Sequence, residues 1–139
     1  MACIFCEIIA GRMPAHRVYE DEFCLAFMDI MPISSGHVLV IPREHAANIW
    51  ELSQQASAAL LPAAQKIATA LQKSGLPCEG INLFMANNAV AGQSVFHAHL
   101  HVVPRVQGDG FGLRFPPGYG QTASNATLQE LAQRIRAAQ

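Results

Sequence analysis

The chain has 139 residues, 51% of them apolar, and its formal net charge is −1 at pH 7. This length supports one domain with a hydrophobic core and is short for two. A charge near zero gives no electrostatic reason to expect binding to a nucleic-acid polymer or to an anionic membrane surface. The N-terminus lacks the features of a secretory signal, and no apolar run reaches bilayer-spanning length. We therefore expect a soluble cytoplasmic protein.

The apolar pattern predicts an α+β fold, with a mostly antiparallel sheet, one long helix and short helices near both ends of the chain. Strands are predicted at residues 18–20, 24–29, 37–42, 81–87 and 95–103, the long helix at 53–74, and short helices at 4–9 and 125–138. Ser53 is a favourable N-cap and Gly75 a favourable residue after the last turn. Pro62 predicts a kink inside the long helix.

The four cysteines divide into a close pair and two isolated residues. Cys3 and Cys6 are separated by two residues, and this spacing indicates metal or redox chemistry in a chain without a secretory signal. Cys24 and Cys78 are interpreted as buried apolar residues.

Three of the six histidines alternate with apolar residues at His97, His99 and His101, and Pro104 is expected to end this run. Alternation predicts a strand with one apolar face and one face of imidazoles. The outer two Cα atoms of a straight strand would be roughly 13 Å apart, which disfavours one metal shared by all three rings. We interpret the three histidines as having different roles. His99 carries out chemistry near neutral pH, and its neighbours orient it or belong to another site.

The residues around this row resemble the histidine triad (HIT) family. His-Ala-His-Leu-His-Val-Val, at residues 97–103, is the signature for which that family is named. Other segments agree in order and spacing, and the similarity covers about residues 3–105, most closely with the nucleotide phosphoramidases and dinucleoside polyphosphate hydrolases. These segments are Ile4–Ile9, Val18–Asp21, Ala26–Asp29, Gly36–Pro42 and Ala91–Val95.

The resemblance implies a catalytic set around His99. His99 would attack phosphorus and form a nucleotidyl-imidazole intermediate that water then hydrolyses. His101 would stabilise a phosphate oxygen, and His37 would hydrogen-bond the triad and fix the tautomer of His99. Ser94 would contact or protonate the leaving group.

The resemblance also implies a nucleotide site for a purine nucleotide, with AMP as the expected product. Asp29 would accept hydrogen bonds from the ribose hydroxyls. Gln93 and Asn87 would lie at the phosphate or leaving-group side, although Ala89 stands where relatives commonly have glycine and the loop is one residue shorter. Either Asn87 or Asn88 could therefore face the phosphate. The base pocket would draw on Ile4, Phe5, Met13, Phe27 and Ile30.

Relatives with an N-terminal Cys-x-x-Cys are similar in using two histidines as further zinc ligands. The resemblance thus implies a closed, structural Zn²⁺ site of Cys3, Cys6, His45 and His97. The free-thiol interpretation of Cys3 and Cys6 is the alternative.

The resemblance implies a homodimer in which two subunits pair their sheets. Residues 1–105 are expected to form the HIT domain, with residues 106–139 as a C-terminal extension packed on it. Two other functions are considered beside the hydrolase: a nucleotide-binding regulatory or interaction module with little turnover, and a zinc-dependent enzyme. The intact set of histidines with Ser94 favours the hydrolase over the first. The second would need an open metal position near the substrate.

Overall fold

The computed structural model describes residues 3–139 and has an α+β fold, which confirms the predicted class. The elements follow one another as helix α1 (Ile4–Ile9), strands β1 (Arg17–Glu20), β2 (Cys24–Met28) and β3 (Val38–Pro42), helix α2 (Gln54–Lys73), strands β4 (Gly80–Phe84) and β5 (Leu100–Arg105), and helix α3 (Asn125–Ala137). Among the described residues, no helix is both long and apolar enough to cross a bilayer.

The five strands form one sheet in the order β1-β2-β3-β5-β4, and all four pairings are antiparallel. The central strands β2 and β3 are continuous apolar runs, because the sheet is covered on both sides at this point. The edge strands β1 and β4 carry more exposed side chains. The sheet therefore has a covered centre and two free edges.

Successive residues of β2 and β3 point to opposite faces and so build two separate cores. On one face, Cys24, Ala26, Val38 and Val40 pack with Leu60, Ala64 and Ile67 of α2. On the other face, Leu25, Phe27, Leu39 and Ile41 pack with Phe5 and Ile8 of α1. The long helix and the short N-terminal helix thus lie on opposite sides of the sheet.

The capping residues predicted from the sequence lie at the two ends of α2. The Ser53 hydroxyl accepts a hydrogen bond from the backbone N–H of Ala56 at 3.1 Å, as an N-cap does. Gly75 follows the helix with φ = +84°. Pro62 lies inside the helix.

Strand β5 begins later than the alternating pattern predicts. It starts at Leu100, so His97 and His99 lie in an irregular segment before the ladder, and the prediction of three imidazoles on one strand face is wrong. Pro104 lies within β5, opposite Ile81, and the strand continues to Arg105. The carbonyl of Pro104 accepts a hydrogen bond from the Ser34 hydroxyl at 2.6 Å.

The start of the C-terminal extension is anchored by Arg105. Its guanidinium donates to both carboxylate oxygens of Asp109 at 2.7 Å and to Oδ1 of Asn82 at 2.6 Å. The hydrogen bond from Arg105 lowers the pKa of Asp109 below its usual range. Further along the extension, helix α3 buries none of its side chains within the chain.

Gly36 precedes His37 in a turn with φ = +98°, and its Cα faces packed side chains. A Cβ at this position would lie 3.0 Å from Cδ2 of Leu71 and 3.2 Å from Cγ of Pro104. Gly75 has a similar φ of +84° but nothing within 4 Å of an added Cβ. The two glycines therefore share backbone strain and differ in the space around them.

We predict that Gly36→Ala lowers the free energy of unfolding more than Gly75→Ala does. Both substitutions bear the left-handed backbone penalty of about 1–2 kcal/mol, and Gly36→Ala adds overpacking of about 1–3 kcal/mol. Urea denaturation of the two variants measures the difference. Equal losses would show that the contacts around Gly36 relax without cost.

Candidate active site and metal centre

A cavity of about 630 Å³ opens on the α1 side of the sheet. Its walls come from α1, the segment before β1, the end of β2 and the residues around the histidine row. The side chains capable of polar chemistry on these walls are His16, Asp29, Ser94, His99 and His101. The remaining lining residues are mainly apolar, so the cavity combines an apolar pocket with a few polar groups, as ligand sites do.

The register of β5 explains why His101 faces this cavity. His101 lies opposite Leu39 of β3, whose side chain packs on the α1 face of the sheet. Directly opposite residues of an antiparallel pair share a face, so His101 points to the same side. Its ring centroid lies 4.9 Å from that of His99, and Phe84 of β4 stacks on it at 4.3 Å.

The tautomer of His99 is set by the backbone of His97. Nδ1 of His99 lies 2.7 Å from the carbonyl oxygen of His97. A carbonyl can only accept, so Nδ1 carries the proton and donates it. In the neutral ring Nε2 is then left with a free lone pair, which is the state that a nucleophilic imidazole requires.

A second chain of hydrogen bonds sets the tautomer of His101. The backbone N–H of Ile33 donates to Nδ1 of His37 at 3.0 Å, so the proton of a neutral His37 is on Nε2. That Nε2–H donates to Nδ1 of His101 at 2.9 Å. The proton of His101 is consequently on its Nε2, which leaves this ring as a hydrogen-bond donor.

His37 therefore contacts the triad through His101. The expectation that it fixes the tautomer of His99 is corrected by this geometry, because the carbonyl of His97 performs that task. Burial lowers the pKa of His37, and burial together with the neighbouring His99 and His37 lowers the pKa of His101 to about 4. Both rings are therefore neutral near pH 7, as the proton assignments require.

Asp29 follows the last residue of β2 and reaches the same cavity. Its Oδ1 accepts a hydrogen bond from the backbone N–H of Met31 at 2.8 Å, and its Oδ2 lies 3.5 Å from Nε2 of His37. One oxygen therefore shapes the turn after β2. The other has only a long contact and retains capacity to accept from a ligand.

The cavity brings together most residues that the sequence assigns to nucleotide binding. All five members of the expected base pocket line it: Ile4, Phe5, Met13, Phe27 and Ile30. Ser94 lines it as well. Phe5 and Phe27 form an edge-to-face pair with ring centroids 5.4 Å apart, a favoured arrangement in the apolar wall.

Gln93 and Asn87 do not line this cavity. The amide group of Gln93 donates to the carbonyls of Ala47 and Val95 and accepts from the backbone N–H of Asn88. The side-chain oxygen of Asn87 accepts from the backbone N–H of Ile49 at 2.7 Å. Both amides therefore join loops, and their expected contacts with phosphate or leaving group stay predictions.

His97 lies away from the cavity and faces the N-terminal cysteines. Its Nε2 lies 2.9 Å from the carbonyl oxygen of Pro42, which assigns the proton to Nε2 and leaves the lone pair on Nδ1. That Nδ1 lies 3.4 Å from Sγ of Cys3 and 3.6 Å from Sγ of Cys6. Nδ1 of His45 lies 3.4 Å from Sγ of Cys6.

These four residues fit a zinc ion. All their ligand atoms lie within 4.8 Å of one another. In a zinc tetrahedron, bonds of about 2.3 Å to sulfur and 2.0 Å to nitrogen separate the two kinds of ligand by about 3.5 Å. Sulfur–nitrogen distances of 3.4–3.6 Å match that separation. Two thiolates and two imidazoles would close the coordination sphere and leave no position for substrate.

A second cluster meets the same distance criterion, but its hydrogen bonds disfavour a metal. Asp29, His37 and His101 also have ligand atoms within 4.8 Å of one another. Nε2 of His37 and Nδ1 of His101, however, already form a hydrogen bond with each other. Nδ1 of His37 also accepts a hydrogen bond from the Ile33 N–H. A metal would have to displace this network, so we interpret the cluster as a hydrogen-bond relay.

Sequence reasoning missed three features of the site. Phe84 stacks on His101, His16 lines the cavity, and Arg105 anchors the extension. The first depends on the register of β4 against β5, which the sequence does not reveal. Arg105 carries no assignment from the sequence, because its partner Asp109 lies in a glycine-rich loop without a strong pattern.

Comparison with known proteins agrees with this geometry. The HIT domain family matches residues 10–108. Adenosine 5'-monophosphoramidase hnt1 of Schizosaccharomyces pombe is 40% identical over 117 residues, which cover 84% of each chain. A solved HIT family protein of Bacillus anthracis has a TM-score of 0.89 and 39% identity, over 99% of this chain and 96% of that one.

A zinc-bound histidine triad family protein of Mycobacterium smegmatis is also similar in structure, with a TM-score of 0.77 and 38% identity. The match covers 100% of this chain and 99% of that one. The sequence match and the shared fold agree, and the chain belongs to the HIT family.

Proposed function

We propose that this protein is a nucleotide hydrolase that cleaves a nucleoside monophosphate, with AMP as the first candidate, from an amine or phosphate leaving group. The observation that carries the proposal is His99 on the wall of an otherwise mainly apolar cavity, with its Nδ1 proton held by the carbonyl of His97. The name of the S. pombe relative, an adenosine monophosphoramidase, supports the same chemistry.

In the proposed reaction, Nε2 of His99 attacks the phosphorus atom and forms a P–N bond while the bond to the leaving group breaks. The leaving group takes a proton as it departs, and the hydroxyl of Ser94 is the candidate donor. Water then attacks the nucleotidyl-imidazole, the P–N bond breaks, and the nucleoside monophosphate and the neutral ring are released. The proton that the water loses returns to Ser94, so the cycle closes. His101 would donate its Nε2–H to a phosphate oxygen in both steps.

The cavity supports the assignment of the nucleoside as well. The free oxygen of Asp29 can accept from a ribose hydroxyl, and the apolar wall with Phe5 and Phe27 suits the face of a purine. One continuous cavity contacts both His99, where the phosphate would lie, and the apolar residues that would contact the base.

We further propose that Cys3, Cys6, His45 and His97 hold a structural Zn²⁺ ion. A metal bound there would cross-link the N-terminal segment to the sheet and would take no part in the reaction at phosphorus. The name of the zinc-bound relative supports this ion for the site. The cysteines would have to be reduced, which agrees with a cytoplasmic location.

Two proposals concern assembly. The edge strand β4 has free backbone groups along one side, and pairing with the same strand of a second copy would give the homodimer. We also retain the division into a HIT domain at residues 1–105 and an extension at 106–139, which would pack on the domain through Phe111 and Leu113 against β4.

The proposed function is tested by comparing turnover of adenosine phosphoramidate, diadenosine polyphosphates and a nucleotidylated lysine by the purified protein. We expect release of AMP from at least one of them. The relative turnover rates of the three substrates identify the preferred leaving group. Binding of AMP without turnover of any substrate would favour the nucleotide-binding module instead.

His99→Asn tests the nucleophile. Asparagine keeps a donor for the His97 carbonyl but has no nucleophilic nitrogen, so we expect turnover to fall at least about 10⁴-fold while AMP binding persists. Rapid quench of the wild type should trap a nucleotidyl adduct that is acid-labile and maps to His99. Substantial turnover by the variant, or an adduct on another residue, would contradict the mechanism.

Asp29→Asn tests the ribose contact. The amide oxygen can still accept from Met31, so the turn is preserved while the charged acceptor is lost. We expect AMP affinity to fall by about 1.5–3 kcal/mol, and 2'-deoxy-AMP affinity to fall less because one partner hydroxyl is missing. Calorimetric titration measures both, and equal losses would remove Asp29 from the ribose.

The zinc proposal predicts about one zinc ion per chain by elemental analysis. Cys3→Ala and His45→Ala should lose the metal and melt at lower temperature, while hydrolase activity persists in part. Cys78→Ala is the matched control, since Cys78 lies outside the cluster. Metal-free protein whose melting is unchanged by zinc or chelator would remove the site, and immediate loss of catalysis on chelation at unchanged stability would indicate a catalytic ion.

A further inference from the structure

Helix α1 is six residues long and belongs to both sites at once. Isolated helices of this length are unstable in water, so its position must come from tertiary contacts. Cys3 is its N-cap, with Sγ accepting from the backbone N–H of Cys6 at 3.4 Å, and both cysteines belong to the metal cluster. Ile4, Phe5 and Ile8 of the same helix line the nucleotide cavity.

Phe5 is the side chain through which the two sites meet. Its ring packs edge-to-face against Phe27 at 5.4 Å, His97 at 5.8 Å and His99 at 5.3 Å between ring centroids. It lies between the two cysteines in sequence and between a metal-facing and a cavity-facing histidine in space. A displacement of α1 would therefore move the apolar wall of the cavity.

The phosphate end of the cavity has supports that do not involve α1. The ring of His97 donates to the carbonyl of Pro42, and the backbone N–H of Ala98 donates to the carbonyl of Ala46 at 2.7 Å. The carbonyl that fixes His99 is thus held from the β3 side, and His101 is held by His37. The orientation of the catalytic rings is therefore fixed by hydrogen bonds outside α1, although Phe5 also packs on His99.

We propose that the metal centre positions α1 so that Phe5 closes the apolar wall, and that metal occupancy thereby sets the affinity for the nucleotide base. This inference rests on the proposed nucleotide site and zinc ion. It makes Cys3, Cys6 and His45 positioning residues for substrate binding, in addition to their effect on stability. Loss of the metal should therefore weaken base recognition and spare the reaction at phosphorus.

The test compares the full-length protein loaded with zinc and stripped with a chelator. By calorimetric titration, we expect AMP affinity to be about tenfold weaker without the metal, and ribose 5-phosphate affinity to change less than about twofold. With the best substrate, KM should rise about tenfold while kcat stays within about twofold, because uniform binding and not transition-state stabilisation is lost. Circular dichroism verifies that the stripped protein is folded.

Phe5→Leu changes the apolar wall without changing the metal ligands. It therefore tests the inference even if the metal-free protein unfolds. It keeps all four metal ligands, so zinc content should stay at about one per chain while AMP affinity falls in the zinc-loaded state. Cys78→Ala should change neither quantity. AMP affinity in Phe5→Leu equal to that of the wild type would overturn the inference.

Two further outcomes separate this inference from the proposed function. If the zinc-loaded protein binds no AMP, the proposed function is wrong, and the inference that rests on it is wrong as well. If it binds AMP with the same affinity with and without zinc, the nucleotide site stands and the coupling through α1 is wrong. A fall in kcat at unchanged AMP affinity would also overturn it, since that pattern places the metal's influence at the catalytic rings.

Discussion

The separation of the proposed metal site from the proposed catalytic site depends on one hydrogen bond, from Nδ1 of His99 to the backbone carbonyl of His97. Two neighbouring histidines on a regular strand would point to the same face, but β5 begins only at Leu100. The irregular segment before it lets the ring of His97 turn to the cysteines while its carbonyl remains beside His99. His97 thus directs its side chain to the two cysteines and its carbonyl to His99, the proposed nucleophile.

The same logic extends to the other rings. Three imidazoles in the two sites have one nitrogen bound to a backbone group whose role is fixed: the carbonyl of Pro42 for His97, the carbonyl of His97 for His99, and the N–H of Ile33 for His37. Backbone groups cannot exchange donor and acceptor roles, so they determine which nitrogen carries the proton. His101 inherits its tautomer from His37, and burial keeps both of these rings neutral.

Sequence reasoning predicted the parts of this arrangement that have strong local signals. The buried run of β3 and the Ser53 cap of α2 are examples, because burial and capping are short-range constraints. The start of β5 could not be predicted, since the alternation of apolar residues and histidines continues through the boundary. Gln93 shows the same limit, because an amide that ties three backbone groups has the same sequence signal as one that contacts a ligand.

The neutral rings have a consequence for how phosphate can be held. None of the described residues that line the cavity is lysine or arginine. Phosphate recognition would then depend on neutral donors such as Nε2–H of His101, which bind more weakly than a bidentate guanidinium. A permanent cation beside His99 would bind a nucleoside monophosphate more tightly. Neutral donors would hold the nucleoside monophosphate loosely, which would favour its release in the proposed reaction.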